Sequence, residues 1–461
     1  MKRKKETIQK YSLGYRLLKA YESIIFRRFY KHIQIIGREN LPLGKQYILA
    51  PNHQNAVLDA LAPLYAHPGH VVFFARADVF KKKWQASILR FLKILPIYRM
   101  RDGASELSKN ESVFDSAITI LGDRVPICIM PEGNHGDRRK LRMLVKGIFR
   151  IAFRAQEEIN QQDGVKIIPV GLDYSEYTKF FQDLLIIFGQ PVEVSPFMDE
   201  YREAPAKAIN SLRDKLAEGM KKVMIHIEND ELYDMYHILR QIYNPRMRKK
   251  TGIVGKSHYD RFRADKQMIS ILDSTFEKDP DYLRNFSEKV IKYERDLNAL
   301  NLRNWIFERS GFTTPRLIYK RFGLYLTFPI FLYGLINNWF PYSLPARPAR
   351  KVKDLQFHSS IKFVLALLLF PVFYGIQTLL VAIFTGPAWI PVAYLVTLPM
   401  FGFFTLFWHI WHKRWKAGLR YRKMKKSRDP KILALESLYH EIMNEMDKII
   451  DKGLNKSKSN N

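Results

Sequence analysis

The 461-residue chain has one cysteine, Cys128. A single thiol excludes an internal disulfide and any metal site built on several thiolates. Cys128 lies in the apolar run 125–130, where a small buried residue is expected rather than a nucleophile. Acidic residues are scarce: 45 Asp and Glu stand against 75 Lys and Arg, a net charge of +30. That balance selects anionic partners. No uninterrupted apolar stretch follows the basic residues 1–6, so no cleavable signal peptide is expected, and this part of the chain should stay in a reducing cytoplasm. A hydrophobic share of 47% excludes a disordered chain.

A local absence says more. Residues 363–412 are fifty consecutive positions without Asp, Glu, Lys or Arg. A bilayer span needs about 20 apolar residues, so two spans are expected, at about 363–384 and 388–411, turning at Gly386-Pro387. Trp389, Trp408 and Trp411 fall near the expected interfaces. Arg347, Arg350, Lys351, Lys353 and Lys362 precede the pair, and Lys413, Arg414, Lys416 and Arg420 follow it. Both ends should therefore face the cytoplasm, with the rest of the chain. The apolar run 322–336 is shorter and contains Pro329; an interfacial or re-entrant segment is expected there. Contact with anionic lipid accounts for the basic residues, so nucleic acid is not an expected partner.

Upstream, short apolar runs alternate with amphipathic stretches. Strands are expected at 33–36, 47–50, 71–75, 94–98, 127–130, 167–172 and 184–188, and helices near 56–67, 82–93, 106–122 and 145–159. This alternation predicts an α/β domain with a largely parallel sheet flanked by helices, its site at the carboxyl edge of the strands. The expected organisation is an amphipathic N-terminal helix in 1–32, the α/β domain in 33–202, a helical insert or lid in 203–320, the hydrophobic region in 321–412 and a basic tail with a helix in 413–461.

Two segments carry chemistry. In Pro51-Asn52-His53-Gln54-Asn55-Ala56-Val57-Leu58-Asp59 a histidine follows an apolar strand and a carboxylate follows the histidine. His53 can take a proton from an alcohol, and Asp59 can fix the imidazole tautomer. The second segment, Met130-Pro131-Glu132-Gly133, is a turn that presents a carboxylate and free backbone N–H groups. His135 has no metal-ligand spacing around it, so no metal is expected.

In this order the segments resemble motifs of the glycerolipid acyltransferases (the PlsC-like 1-acylglycerol-3-phosphate and glycerol-3-phosphate acyltransferases). The resemblance covers residues 33–190. Ile94-Leu95-Pro96-Ile97-Tyr98-Arg99-Met100-Arg101 and Ile167-Ile168-Pro169-Val170 resemble two further motifs. It implies His53 and Asp59 as catalytic residues, and Arg99, Arg101, Glu132, Gly133 and Arg138 as substrate contacts. Where the family continues Thr-Arg-Ser after the glycine, this chain has Asn134-His135-Gly136, so phosphate contacts are expected to move to Arg138, Arg139 or Lys146. It also implies transfer of an acyl chain from acyl-CoA or acyl carrier protein to 1-acylglycerol-3-phosphate, with no cofactor. Glycerol-3-phosphate or dihydroxyacetone phosphate are alternative acceptors, and an inactive membrane-tethered lipid-binding or scaffolding protein is the alternative of another class. The chain also departs from the family in the spacing of its first motif. Five residues, not four, separate His53 from Asp59, and on a straight helix a six-residue step turns by about 240°. His53 is therefore expected before the helix starts, or a local bulge must re-aim it, with Asn55 as a spare orienting group.

Overall fold

The computed structural model describes residues 8–10, 12–98, 108–159, 164–308 and 313–459. The chain divides into two units, residues 1–226 with 348–364 and residues 227–347 with 365–461.

The first unit is built on an eight-stranded sheet: β1 His32–Ile36, β2 Tyr47–Pro51, β3 Val72–Arg76, β4 Ile94–Ile97, β5 Ile127–Cys128, β6 Lys166–Tyr174, β7 Asp183–Phe188 and β8 Val192–Glu193. The order is β1-β7-β6-β2-β5-β3-β4, with β8 beside β6. All pairs are parallel except β6 with β7 and β6 with β8. The seven expected strands form within a few residues of their expected ends, and the sheet is largely parallel. β8 gave no signal because two residues show no periodicity. Helices α1 Leu13–Phe29, α2 Ala56–Ala66, α3 Lys83–Phe91, α4 Asn110–Gly122, α5 Gly147–Glu158 and α6 Pro205–Val223 accompany the sheet.

The unit runs past the expected boundary at 202. The apolar stripe Leu212, Leu216 and Met220 of α6 joins Ile167 of β6 and Phe149 of α5 in one buried core. Gly171 permits this approach, since a Cβ there would lie 1.7 Å from the Val223 carbonyl oxygen. Residues 348–364, which include the first turns of the helix Gln356–Phe384, also belong here.

β2 is buried at every position. Asn52 extends its ladder past Pro51 with its side chain as well as its backbone N–H, which donates to the Val170 carbonyl at 3.2 Å. Its amide accepts from the Leu172 N–H at 2.7 Å and donates to the Leu172 carbonyl at 3.1 Å. The next residue, His53, leaves the sheet at the carboxyl end of its central strands.

The second unit is helical: α7 Tyr233–Ile242, α8 His258–Phe276, α9 Pro280–Ala299, α10 Thr314–Leu326, α11 Phe328–Lys351, α12 Gln356–Phe384, α13 Trp389–Lys426 and α14 Pro430–Ser459. α12 and α13 are long and apolar enough to cross a membrane, with mean hydropathy of 2.2 and 1.8 over their most apolar windows. Their apolar side chains face outward, as Leu379 at 63% and Ile383 at 67% exposure illustrate; such a surface suits lipid. The expected short segment at 322–336 is instead part of two helices, and α11 packs on both α12 and α13. Asn338 accepts from the Tyr374 hydroxyl at 2.6 Å and donates to the Leu398 carbonyl at 3.1 Å. Asn337 accepts from the Tyr394 hydroxyl at 2.6 Å. α14 is not a separate tail. Its apolar stripe packs on α9, with Tyr439 and Tyr293 rings 5.8 Å apart, and Lys289 pairs with Glu441 at 2.7 Å.

Candidate functional site

The site grows from the end of β2. His53 Nδ1 lies 2.9 Å from Asp59 Oδ2; the ring is 18% exposed and the carboxylate fully buried. Asp59 Oδ2 also accepts from the backbone N–H groups of Gln54 at 2.6 Å and Asn55 at 2.5 Å. Oδ1 accepts from the Tyr174 hydroxyl at 2.7 Å. Two backbone N–H groups and a phenol thus donate to this carboxylate, and the Nδ1–H tautomer of His53 adds a fourth donor. Burial first, and the Asp59 charge next, hold the Tyr174 phenol well above its ordinary value, so it remains a donor. With Nδ1 committed to Asp59, Nε2 is the nitrogen left to accept a proton.

The six-residue spacing is absorbed at the start of α2. His53 precedes the helix, as the spacing requires. Asn55 is the N-cap, and Ala56 has φ +43°, the left-handed region that a residue with a Cβ resists. This kink turns the first turn of α2 so that Asp59 points back at His53.

Glu132 braces the histidine from the other side. Its Oε1 accepts from the His53 backbone N–H at 3.0 Å, and its Oε2 is 2.7 Å from Arg142 Nε. Burial raises the Glu132 carboxyl above its ordinary value, opposed by the Arg142 guanidinium. Arg142 also donates to the His53 carbonyl at 3.3 Å, and the Gly136 N–H donates to the same oxygen at 3.1 Å. Gly133 has φ +68°, and a Cβ there would meet the Val145 side chain at 2.9 Å. The turn therefore requires glycine.

Of the residues expected from the sequence, His53, Asp59, Glu132 and Gly133 come together. Arg138 is an exposed residue whose carbonyl accepts from the Gln54 amide at 3.0 Å. Arg139, one of the expected substitutes for a phosphate contact, is buried in an ion pair with Asp173 and a bond to the Tyr174 carbonyl. Arg99 and Arg101 lie outside the described residues. His135 stacks on His53 with ring centroids 5.5 Å apart, and the edge of Phe357 meets it at 4.6 Å. Burial, then the neighbouring His53, lowers its basicity. The Cys128 thiol is buried and pushed far up by that burial, then by the Asp59 charge, which leaves it inert. Arg142 and Tyr174 had no sequence signal: one stands among five basic residues between 138 and 146, the other ends a core strand.

Residues 32–173 match the family model described as Acyltransferase. The chain is 22% identical to "Glycerol-3-phosphate O-acyltransferase 1" of Saccharomyces cerevisiae, over 46% of this chain and 28% of that protein. It is 25% identical to "1-acyl-sn-glycerol-3-phosphate acyltransferase alpha" of Ovis aries, over 32% of this chain and 47% of that one. The matches thus span less than half the length of these relatives. Among solved structures, the 1-acyl-sn-glycerophosphate acyltransferase PlsC of Thermotoga maritima is 18% identical, with a TM-score of 0.31, covering 44% of this chain and 78% of that chain.

Proposed function

We propose that the protein transfers a fatty acyl chain from a thioester, acyl-CoA or acyl carrier protein, to the free hydroxyl of 1-acylglycerol-3-phosphate, a reading supported by the match of residues 32–173 to the Acyltransferase family model. The observation that carries this is the His53–Asp59 pair at 2.9 Å, with a fully buried carboxylate saturated by donors. Asp59 holds the imidazole in the tautomer whose Nε2 is basic. The substrate hydroxyl gives its proton to Nε2 as its oxygen attacks the thioester carbonyl. The tetrahedral intermediate collapses, the ester bond remains, and the thiolate leaves with the proton from the imidazolium. The alcohol is the nucleophile, so no acyl-enzyme forms and no cofactor takes part.

Glu132 and Arg142 fix the backbone of His53 from outside the reacting atoms. The acceptor phosphate is assigned to Arg99 or Arg101, for which a planar and permanently charged fork is suited. The excess of basic residues suits an acidic donor and an anionic acceptor alike. α12 and α13 would hold the protein in the membrane, with the catalytic domain on the cytoplasmic face, where both donors occur. Glycerol-3-phosphate is the second acceptor, supported by the names of two yeast relatives, "Glycerol-3-phosphate O-acyltransferase 1" and "2".

A panel of 1-acylglycerol-3-phosphate, glycerol-3-phosphate and dihydroxyacetone phosphate with radiolabelled acyl donor, separated by thin-layer chromatography, tests this. A labelled diacyl product from the first supports the leading acceptor. Label in the monoacyl product alone selects one of the others, and no labelled lipid from any acceptor rejects the activity.

A further inference from the structure

After residue 226 the chain leaves the first unit and returns to it only at 348. The returning segment places two serines against the kink at the start of α2. Ser359 Oγ lies 2.8 Å from Asn55 Oδ1 and also bonds the Tyr177 carbonyl, so its one proton serves both. Ser360 Oγ donates to the Asn55 carbonyl at 2.9 Å and accepts from the Leu58 N–H at 3.3 Å. Ser359, Ser360 and Asn55 are each 1% exposed. Phe363 anchors the segment, its ring edge-on to Phe29 at 5.2 Å.

Asn55 makes no capping bond of its own with its side chain. Ala56 occupies a backbone region it resists, and a six-residue step on an undistorted helix would carry Asp59 away from His53. The kink therefore needs support from outside α2, and the two serines bond the polar groups of Asn55 and Leu58 that flank Ala56.

We propose that Ser359 and Ser360 are positioning residues for the His53–Asp59 pair: they hold the Asn55–Ala56 kink in the conformation that lets Asp59 reach the imidazole. This rests on His53 being the base of the acyl transfer. Neither serine touches the reacting atoms. They act through α2 on the turnover number and leave the binding of either substrate alone.

The test uses the full chain in lipid nanodiscs. Ser359→Ala/Ser360→Ala should lower kcat about tenfold or more, the scale of one buried hydrogen bond or more, with both KM values within about twofold. In an Asp59→Asn background the same pair of changes should add less than about twofold, because the path they act through is already broken. Unchanged kcat, a change in KM alone, or a loss that multiplies in full with that of Asp59→Asn overturns the proposal. Hydrogen exchange supplies a measurement that needs no turnover. The Gln54, Asn55 and Leu58 amides should exchange about tenfold faster in the double variant, the scale of one lost hydrogen bond. Amides of β2 and β6 should keep their protection; equal exchange at the kink would refute the hold on it. A parent chain without acyl transfer would remove the proposed function, and the exchange result would then decide on the serines alone.

Discussion

Asp59 collects four donors with two oxygens, and this ranks the site residues against one another. His53→Ala removes the proposed base and should lower kcat by roughly two to four orders of magnitude, with membrane insertion intact. Asp59→Asn should cost less, because an amide still fills the space but presents two hydrogens where acceptors are needed. Tyr174→Phe takes away one donor of the four, worth about 1 kcal/mol or roughly fivefold in kcat. Steady-state rates of the three variants check the order, and a Tyr174→Phe loss equal to that of His53→Ala would contradict it. His53, Glu132 and Gly133 were legible because each follows an apolar strand, where a polar or turn residue stands out, and Asp59 because it lies a short step downstream of His53. Arg142 and Tyr174 were not, since their roles depend on where folding brings distant chain. Arg138 was expected for its charge, and its carbonyl also bonds the Gln54 amide. For Arg99 and Arg101, exchange to Ala in turn should raise the acceptor KM far more than the donor KM for whichever grips the phosphate.

At the scale of the element, α2 has a histidine before its start and another at its end, in opposite situations. His67 follows the last residue of α2 and is buried. Its Nδ1 accepts from the Gly69 N–H at 3.1 Å, so Nε2 carries the proton and donates to the Tyr47 oxygen at 2.6 Å. Burial lowers its pKa to about 4 from 6.5, aided by the charges of Lys19, His70 and Arg38. Between pH 6.5 and 4 the unfolded chain binds this proton and the folded one does not. The contribution to stability is therefore complete above about pH 6.5 and lost on acidification towards pH 4, up to about 3 kcal/mol. The unfolding midpoint should fall over that window, and His67→Phe should flatten the fall; an identical slope in the variant would assign it to other groups. The strands were readable because each is a short apolar run bounded by turn residues. The helices around 322–351 were less so. The uncharged run extends from 322 to 346, but Asn337 and Asn338 look like its end. Tyrosine hydroxyls of α12 and α13 and backbone carbonyls accommodate the two amides among apolar helices.

For the whole molecule, the clusters of basic residues around the apolar pair make a topological prediction. With Cys128→Ser removing the native thiol, cysteines placed near 350, 386 and 420 should react with an impermeant reagent on intact cells at 386 alone. Labelling near 420 but not near 350 would mean an odd number of crossings after 350 and remove the two-span arrangement, without touching the assignment of the catalytic domain. The fifty uncharged residues made this region readable from composition. The division into units was not readable, because α6 and residues 348–364 join the sheet through packing that no local pattern announces.

A unit whose last strip lies so far along the chain has a consequence in time. The ribosome delivers all eight strands by residue 193 and the helix that covers them by residue 223. Residue 360 follows residue 226 by 134 positions, roughly 7–27 s later at ordinary rates of synthesis. Throughout that interval the nascent sheet holds His53 and Asp59 on a turn that still lacks two of its partners. On this account the His53–Asp59 turn is completed only as the first of the two long apolar helices begins to emerge, and the proposed activity would start there.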